Sequence, residues 1–170
     1  MKISHHSLAR LLTRSIPNPE RGLGEDWFHT LSSLTPMVNV DLLIQRSHDA
    51  MRQTLLTFRQ DQFYDGWHFP GGVIRFKESF EARIHEVASI ELGCSVTNIS
   101  MPIMIQNLIN PTRRIRGHFV SILFRCELTS HLDTERKHHW AGNPAGGAWS
   151  WFNEPPKDLI YQHANYEQFF

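Results

Sequence analysis

Cysteine is scarce in this chain. Cys94 and Cys126 stand alone among 170 residues. They form neither a CxxC pair nor a metal-ligand spacing, which excludes a disulfide framework and leaves two buried free thiols as the expectation. No apolar run nears the ~20 residues needed to span a bilayer. The opening Met1–His6 lacks the apolar stretch of a signal peptide. Cytoplasmic placement, away from any membrane, is therefore expected. A charge surplus is missing too, with 17 basic and 17 acidic side chains. That balance gives no support to nucleic acid or an anionic membrane as partner. Internal repeats and low-complexity tracts are also lacking. What remains is 41% hydrophobic and 20% charged, the composition of one ordinary globular domain.

Within it, Leu8, Leu11 and Leu12 have helical spacing, and Ile16-Pro17-Asn18-Pro19 ends that helix. Trp27, Leu31 and Leu34 suggest a second short helix at 25–33. Residues 1–34 are thus expected as a helical arm that packs, dimerises or forms a lid, and residues 35–170 as the main domain. Val38, Val40, Leu42 and Ile44 alternate along a strand over 37–45. A second strand follows at 54–59, giving a hairpin, and a short extended piece ends at Pro70-Gly71-Gly72. Residues 80–92 read as a helix with Ser79 as N-cap, Gly93 after its end, and Phe80, Ile84, Val87 and Ala88 on its core face. Strands near 101–109, 118–128 and 148–152 and a final helix over 155–168 complete an α/β sandwich around a mixed β-sheet.

Residues 71–94 hold the chemistry: a glycine turn, a loop, and an acid-bearing helix closed by glycine. A backbone carbonyl beside a helical carboxylate is suited to Mg²⁺, which takes oxygen ligands and keeps water and phosphate in its shell. Diphosphate chemistry needs such a cation to offset charge on the leaving group.

This stretch resembles a Nudix box. Gly72, Glu78, Glu91 and Gly93 fall in register with it, and Trp67-His68-Phe69-Pro70-Gly71 is similar to its approach. Departures are clear. Glu86-Val87 replaces the family's Arg-Glu, and Ile90 replaces the first Glu of its terminal pair. Val87 and Glu91 share a helical face, so a carboxylate is missing from the metal side. Glu86 lies about 140° around from Glu91. The lost Arg leaves Glu78 to Arg83 or Lys77. The GDP-mannose mannosyl hydrolase branch likewise keeps a late box Glu while lacking others. Thr35–Asp41, Arg59 and His163-Ala164-Asn165 are similar to elements of that branch. The similarity covers roughly residues 35–128 and, weakly, the C-terminus.

The resemblance implies a Nudix-type α/β/α sandwich. It implies Mg²⁺ held by the Gly71 carbonyl and Glu91, with Asp41 and Arg59 on a nucleotide sugar and Arg75 near the place of a further arginine. It also suggests a homodimer. That branch expels GDP by water attack on the anomeric carbon. Its Gln-His pair is absent from Gly142–Gly147, so the base is missing or relocated.

Other residues have two readings. His118 opens a strand and is a candidate base, or a hydrogen-bonded strand-end histidine, and His68 has the same pair of readings. Arg113-Arg114 and Arg116 form a turn that grips a diphosphate, with Arg114 as the expected contact, or a solvated hairpin tip. His138-His139 reads as a solvated loop. Trp149 and Trp151 share a strand face, for packing or base stacking.

The expected function is Mg²⁺-dependent hydrolysis of nucleoside diphosphate sugars, GDP-mannose-like, or related compounds. The alternative is a reduced module that binds nucleotide sugars without turnover. A third reading is pyrophosphate-bond hydrolysis of other nucleotides.

Overall fold

The fold grows from β1 (Met37–His48), three residues longer than its expected end at Gln45. Asp49 and Ala50 both take positive φ, which makes the tight turn that matches strand twist, and β2 (Met51–Gln60) returns beside β1. A computed structural model describes residues 4–139 and 142–170. Met1–Ile3, part of the signal-peptide reading, lie outside the described residues.

The remaining strands are β3 (Asp65–His68), β4 (Gly71–Val73), β5 (Val96–Asn98), β6 (Met104–Ile109), β7 (His118–Leu128) and β8 (Trp149–Phe152). They join one mixed sheet of eight strands. β1 and β7 run parallel, from Met37 opposite Phe119 to Ile44 opposite Cys126. The other edge of β1 is divided. Residues 45–48 pair with β2, and 39–41 pair with β4. Between them the sheet forks, because β2 turns off to pair with β3 and β8.

Alternation along β1 sets the two cores. Val40, Leu42 and Ile44 pack with Ile84, Val87 and Leu92 below one face. Leu43 packs with Trp67, Phe69, Leu123 and Tyr166 on the other. The first face carries α3 (Phe80–Val87), capped by Ser79, whose Oγ accepts from Ala82 N at 3.1 Å. The helix continues over Ala88–Leu92 with a widened π turn. Phe80, expected in the core, is 45% exposed, because it opens the helix at the rim of the core, its ring 5.5 Å from that of Phe124. The second face is covered by a 3₁₀ helix, Tyr161–Phe169, where a longer helix from 155 was expected. Pro155 and Pro156 lack amide donors, and helical turns begin only beyond them.

α1 (His5–Ser15) and α2 (Glu25–Ser32) precede the sheet. The glycine turn was expected to end an extended piece, but Gly71–Val73 is itself a strand on β1. His138 is buried rather than solvated. Its amide donates to Trp149 O at 2.9 Å, and its ring lies 5.8 Å from that of Trp67. Trp149 is in the core, and Trp151 packs against it under the Arg46 guanidinium. Both cysteines are buried free thiols. Among the described residues, no helix is long and apolar enough to cross a membrane.

Candidate active site

The fork lets groups from both faces of the sheet meet. Asp41 belongs to the Leu43 face, and Thr57 and Arg59 on β2 belong to the Leu55 face. His68 sits opposite Thr57 on β3. The His68 and His163 rings, from opposite sides, stand 6.1 Å apart. Two adjoining cavities share Arg59, His68, Gly71, Gly72 and Arg116. The larger, of about 500 Å³, also takes in Thr57 and Glu91. The smaller takes in Asp41 and His163.

Gly71 is the hinge of this arrangement. Leu42 N donates to Pro70 O at 2.8 Å and Ile74 N to Val38 O at 2.9 Å. In an antiparallel ladder these positions make Asp41 and Gly71 a pair without mutual hydrogen bonds. Both polar groups of Gly71 therefore turn away from β1. Its backbone hydrogen-bonds Glu91, so its carbonyl faces the same side.

Glu91 lies in the π turn, a distortion that recurs at functional sites. Its Oε2 accepts from Thr57 Oγ1 at 2.9 Å and lies 3.9 Å from His68 Nε2. The side chain is 23% exposed, and desolvation raises its pKa to about 7 against the Thr57 hydrogen bond. Glu86 points elsewhere, to Arg75 at 3.5 Å. Val87 fills the missing carboxylate's side, because its Cγ2 packs where a Gly72 side chain would start. Glu78 has a new partner. Arg83 donates to it through Nε and Nη2, each at 2.8 Å, and Arg75 N adds a third bond. Lys77, the other candidate, reaches Glu20 instead.

Asp41 is almost fully buried and accepts from Ser121 Oγ, from Tyr166 OH at 2.8 Å and from Asn39 Nδ2 at 2.9 Å. Burial nevertheless raises its pKa to about 6. His163 Nδ1 accepts from Phe69 N at 3.0 Å, which places its proton on Nε2, 3.7 Å from Asp41 Oδ2. His68 Nδ1 lies 2.7 Å from Phe69 O and serves as donor there. Burial lowers both histidines to about 3, so both stay neutral.

The expected residues thus divide. Asp41, Arg59, Gly71 and Glu91 come together. His118 does not join them. Its Nε2 lies 2.6 Å from Asn107 Oδ1, on the face of β7 opposite Ser121. Arg75 lies under α2 rather than in the fork. Arg114 is exposed at the turn, and Arg113 and Arg116 turn inward instead. Thr57 and Ser121 were not singled out from sequence, and Tyr166 was expected to dock the final helix rather than to reach Asp41. Thr57 precedes Arg59 by two residues on one strand face, which is the signal that could have found it.

No protein-family model and no curated protein matches this chain. Solved structures do. A MutT protein from Methanosarcina mazei Go1 superposes with TM-score 0.56 at 17% identity, covering 80% of this chain and 91% of that one. A MutT NUDIX hydrolase from Burkholderia pseudomallei gives 0.54 at 19%, covering 75% and 92%. An ADP-ribose pyrophosphatase from Streptococcus suis gives 0.51 at 19%, covering 77% and 84%. The chain has the fold of the Nudix hydrolases, a mixed sheet with helices on it.

Proposed function

We propose that the protein is a Mg²⁺-dependent hydrolase of nucleoside diphosphate-linked compounds, with nucleoside diphosphate sugars of the GDP-mannose type as substrates. The observation that carries this reading is Glu91 facing the outward side of Gly71, in a cavity that also holds Arg59. Among the described residues no three His, Cys, Asp or Glu side chains group as a metal site. One carboxylate and one carbonyl fit a single Mg²⁺ that takes its other ligands from water and phosphate. The same set does not fit a multi-metal cluster. Glu91 and the Gly71 carbonyl would hold the ion, which offsets charge on the leaving diphosphate.

The chain's own groups do the rest. Thr57 orients the Glu91 carboxylate. Arg59, fixed by Asp61 at 2.6 Å, offers its remaining donors to a phosphate. Asp41 and neutral His163 form the polar floor of the smaller cavity, where a sugar hydroxyl would find both an acceptor and a donor. The water-activating role expected of His118 has no support in its placement.

A second reading, binding without turnover, is favoured by one observation: of Glu78, Glu86 and Glu91, Glu91 alone meets the Gly71 backbone, while Glu78 and Glu86 turn to Arg83 and Arg75. Incubation with Mg²⁺ and a panel of nucleotide sugars in ¹⁸O water separates the cases. Label in free sugar supports attack at carbon, and label in phosphate supports pyrophosphate cleavage. Saturable binding without product favours the second reading. Neither binding nor turnover across the panel overturns both.

A further inference from the structure

A cavity of about 550 Å³ lies beneath α2, outside the fork. Its walls include Phe28 from α2, Phe63 after β2, and Phe76 after β4. That volume is in the range of small-molecule sites, and its lining of rings with a few charged groups is the usual character of one. Arg116 lines this cavity and both cavities of the fork.

Arg116 is built into that position at a cost. Its φ is 55°, a left-handed conformation uncommon outside glycine and of the kind that clusters at ligand sites. α2 holds it there, because Arg116 N donates to Ser32 Oγ at 3.2 Å. Its guanidinium stands between the rings of Phe28, Phe63 and Tyr64, 5.1–5.5 Å from their centres. Arg59 and Arg113 lie against the same Tyr64 ring. Three guanidinium groups thus converge on Tyr64, and Asp61 is paired with one of them, Arg59. The buried Arg116 Nε and Arg113 Nη1 have no hydrogen-bond partner among the described residues, although buried donors are normally satisfied. A phosphate in the shared cavities would accept from the guanidinium nitrogens of Arg59 and Arg116 that face them.

We propose that the cavity beneath α2 receives the base of a nucleoside diphosphate, whose phosphates cross Arg116 into the fork. The inference rests on the nucleotide reading above and adds where the base lies. It also gives α2 a function: Phe28 walls the base compartment, and Ser32 fixes the arginine at its mouth. The exposed Phe76 ring closes the outer side.

Calorimetric titration of the full chain in Mg²⁺ tests this, with ADP, GDP, UDP and inorganic pyrophosphate as ligands. At least one nucleoside diphosphate should bind about ten-fold more tightly than pyrophosphate, the scale of one stacked base. Phe76→Ala, at a residue 58% exposed, should remove most of that preference and leave pyrophosphate affinity unchanged, and Phe28→Leu, whose ring also lies against Arg116, should weaken the nucleoside diphosphate more than pyrophosphate. Arg116→Gln should weaken both ligand types. Equal affinity for pyrophosphate and every nucleoside diphosphate would overturn the base compartment while leaving phosphate binding intact. So would a Phe76→Ala protein with its preference undiminished. Absence of binding by any of the four ligands would overturn the nucleotide reading itself.

Discussion

The Asp41 carboxylate occupies the space where a side chain on Gly71 would begin. A Cβ at Gly71 would fall well inside contact distance of Asp41 Oδ1 and also press on the Val40 carbonyl. Asp41 cannot retreat, because Ser121, Tyr166 and Asn39 all bind it. Gly71→Ala should therefore destabilise the protein by about 1–3 kcal/mol, the range for forcing an extra methyl into filled space. Urea unfolding reads this directly. An unchanged midpoint would show that the carboxylate shifts freely.

Arg83 is the partner of Glu78, through two hydrogen bonds from its guanidinium. Their side chains are 6% and 14% exposed, and Glu78 also fixes the loop through Arg75 N. Removing one member leaves the other charge buried, which costs about 3–5 kcal/mol. Arg83→Ala should lower stability on that scale, and Arg83→Lys should lose the bidentate geometry and recover part of it. If Arg83→Lys matches the wild type, the forked hydrogen bonds contribute nothing that a point charge does not.

The Thr57 hydroxyl and the Glu91 carboxylate separate orientation from ligation. Glu91→Gln should abolish the dependence of ligand binding on Mg²⁺. Thr57→Val keeps the carboxylate but removes its 2.9 Å hydrogen bond, so Mg²⁺ dependence should persist with weaker affinity, by about ten-fold for one hydrogen bond to a charged group. Titration of Mg²⁺ at fixed ligand measures both. Identical Mg²⁺ dependence in Glu91→Gln and wild type would remove the metal assignment.

How much of this was legible in sequence follows from where each signal lies. β1 was visible because the face of Val38, Val40, Leu42 and Ile44 is apolar throughout while the other carries Asn39, Asp41 and Gln45, so apolar and polar residues alternate. α3 was visible from both ends, through Ser79 and through Gly93 in its left-handed cap. β4 was not, because two glycines and a valine carry no alternation, and its pairing with β1 depends on β2 turning away. The π turn left no trace either, since a widened turn changes hydrogen bonding and not residue type. Glu91 was identified from local register alone. His118 misled because a histidine at the start of a strand has even odds of facing either side. Ser121, three residues on, points into the site, which sends His118 to the other face. Arg116 rather than Arg114 turns inward because Ser32 and Phe28 hold it, and that contact spans more than eighty residues of chain.

The buried histidines make stability depend on pH in a direction that can be worked out. His163 is held near 3 in the folded chain against an ordinary 6.5, so the unfolded chain binds more protons between those values. Stability from this group is complete above pH 6.5 and falls as pH drops towards 3. Asp41, raised from 3.8 to about 6, acts oppositely: its protonated form is favoured by folding, so its contribution falls as pH rises through 6. The two partly cancel between pH 4 and 6 in the metal-free wild type. His163→Asn removes one side of that balance and keeps a side chain able to accept from Phe69 N. The variant should be less stable than wild type at pH 7. The difference should then shrink by about 1.4 kcal/mol for each pH unit below 6.5, and reverse if the range is long enough. Urea midpoints at pH 7, 6, 5 and 4.5 measure it. A constant difference across that range would mean that His163 takes up its proton without disturbing Asp41 or Phe69.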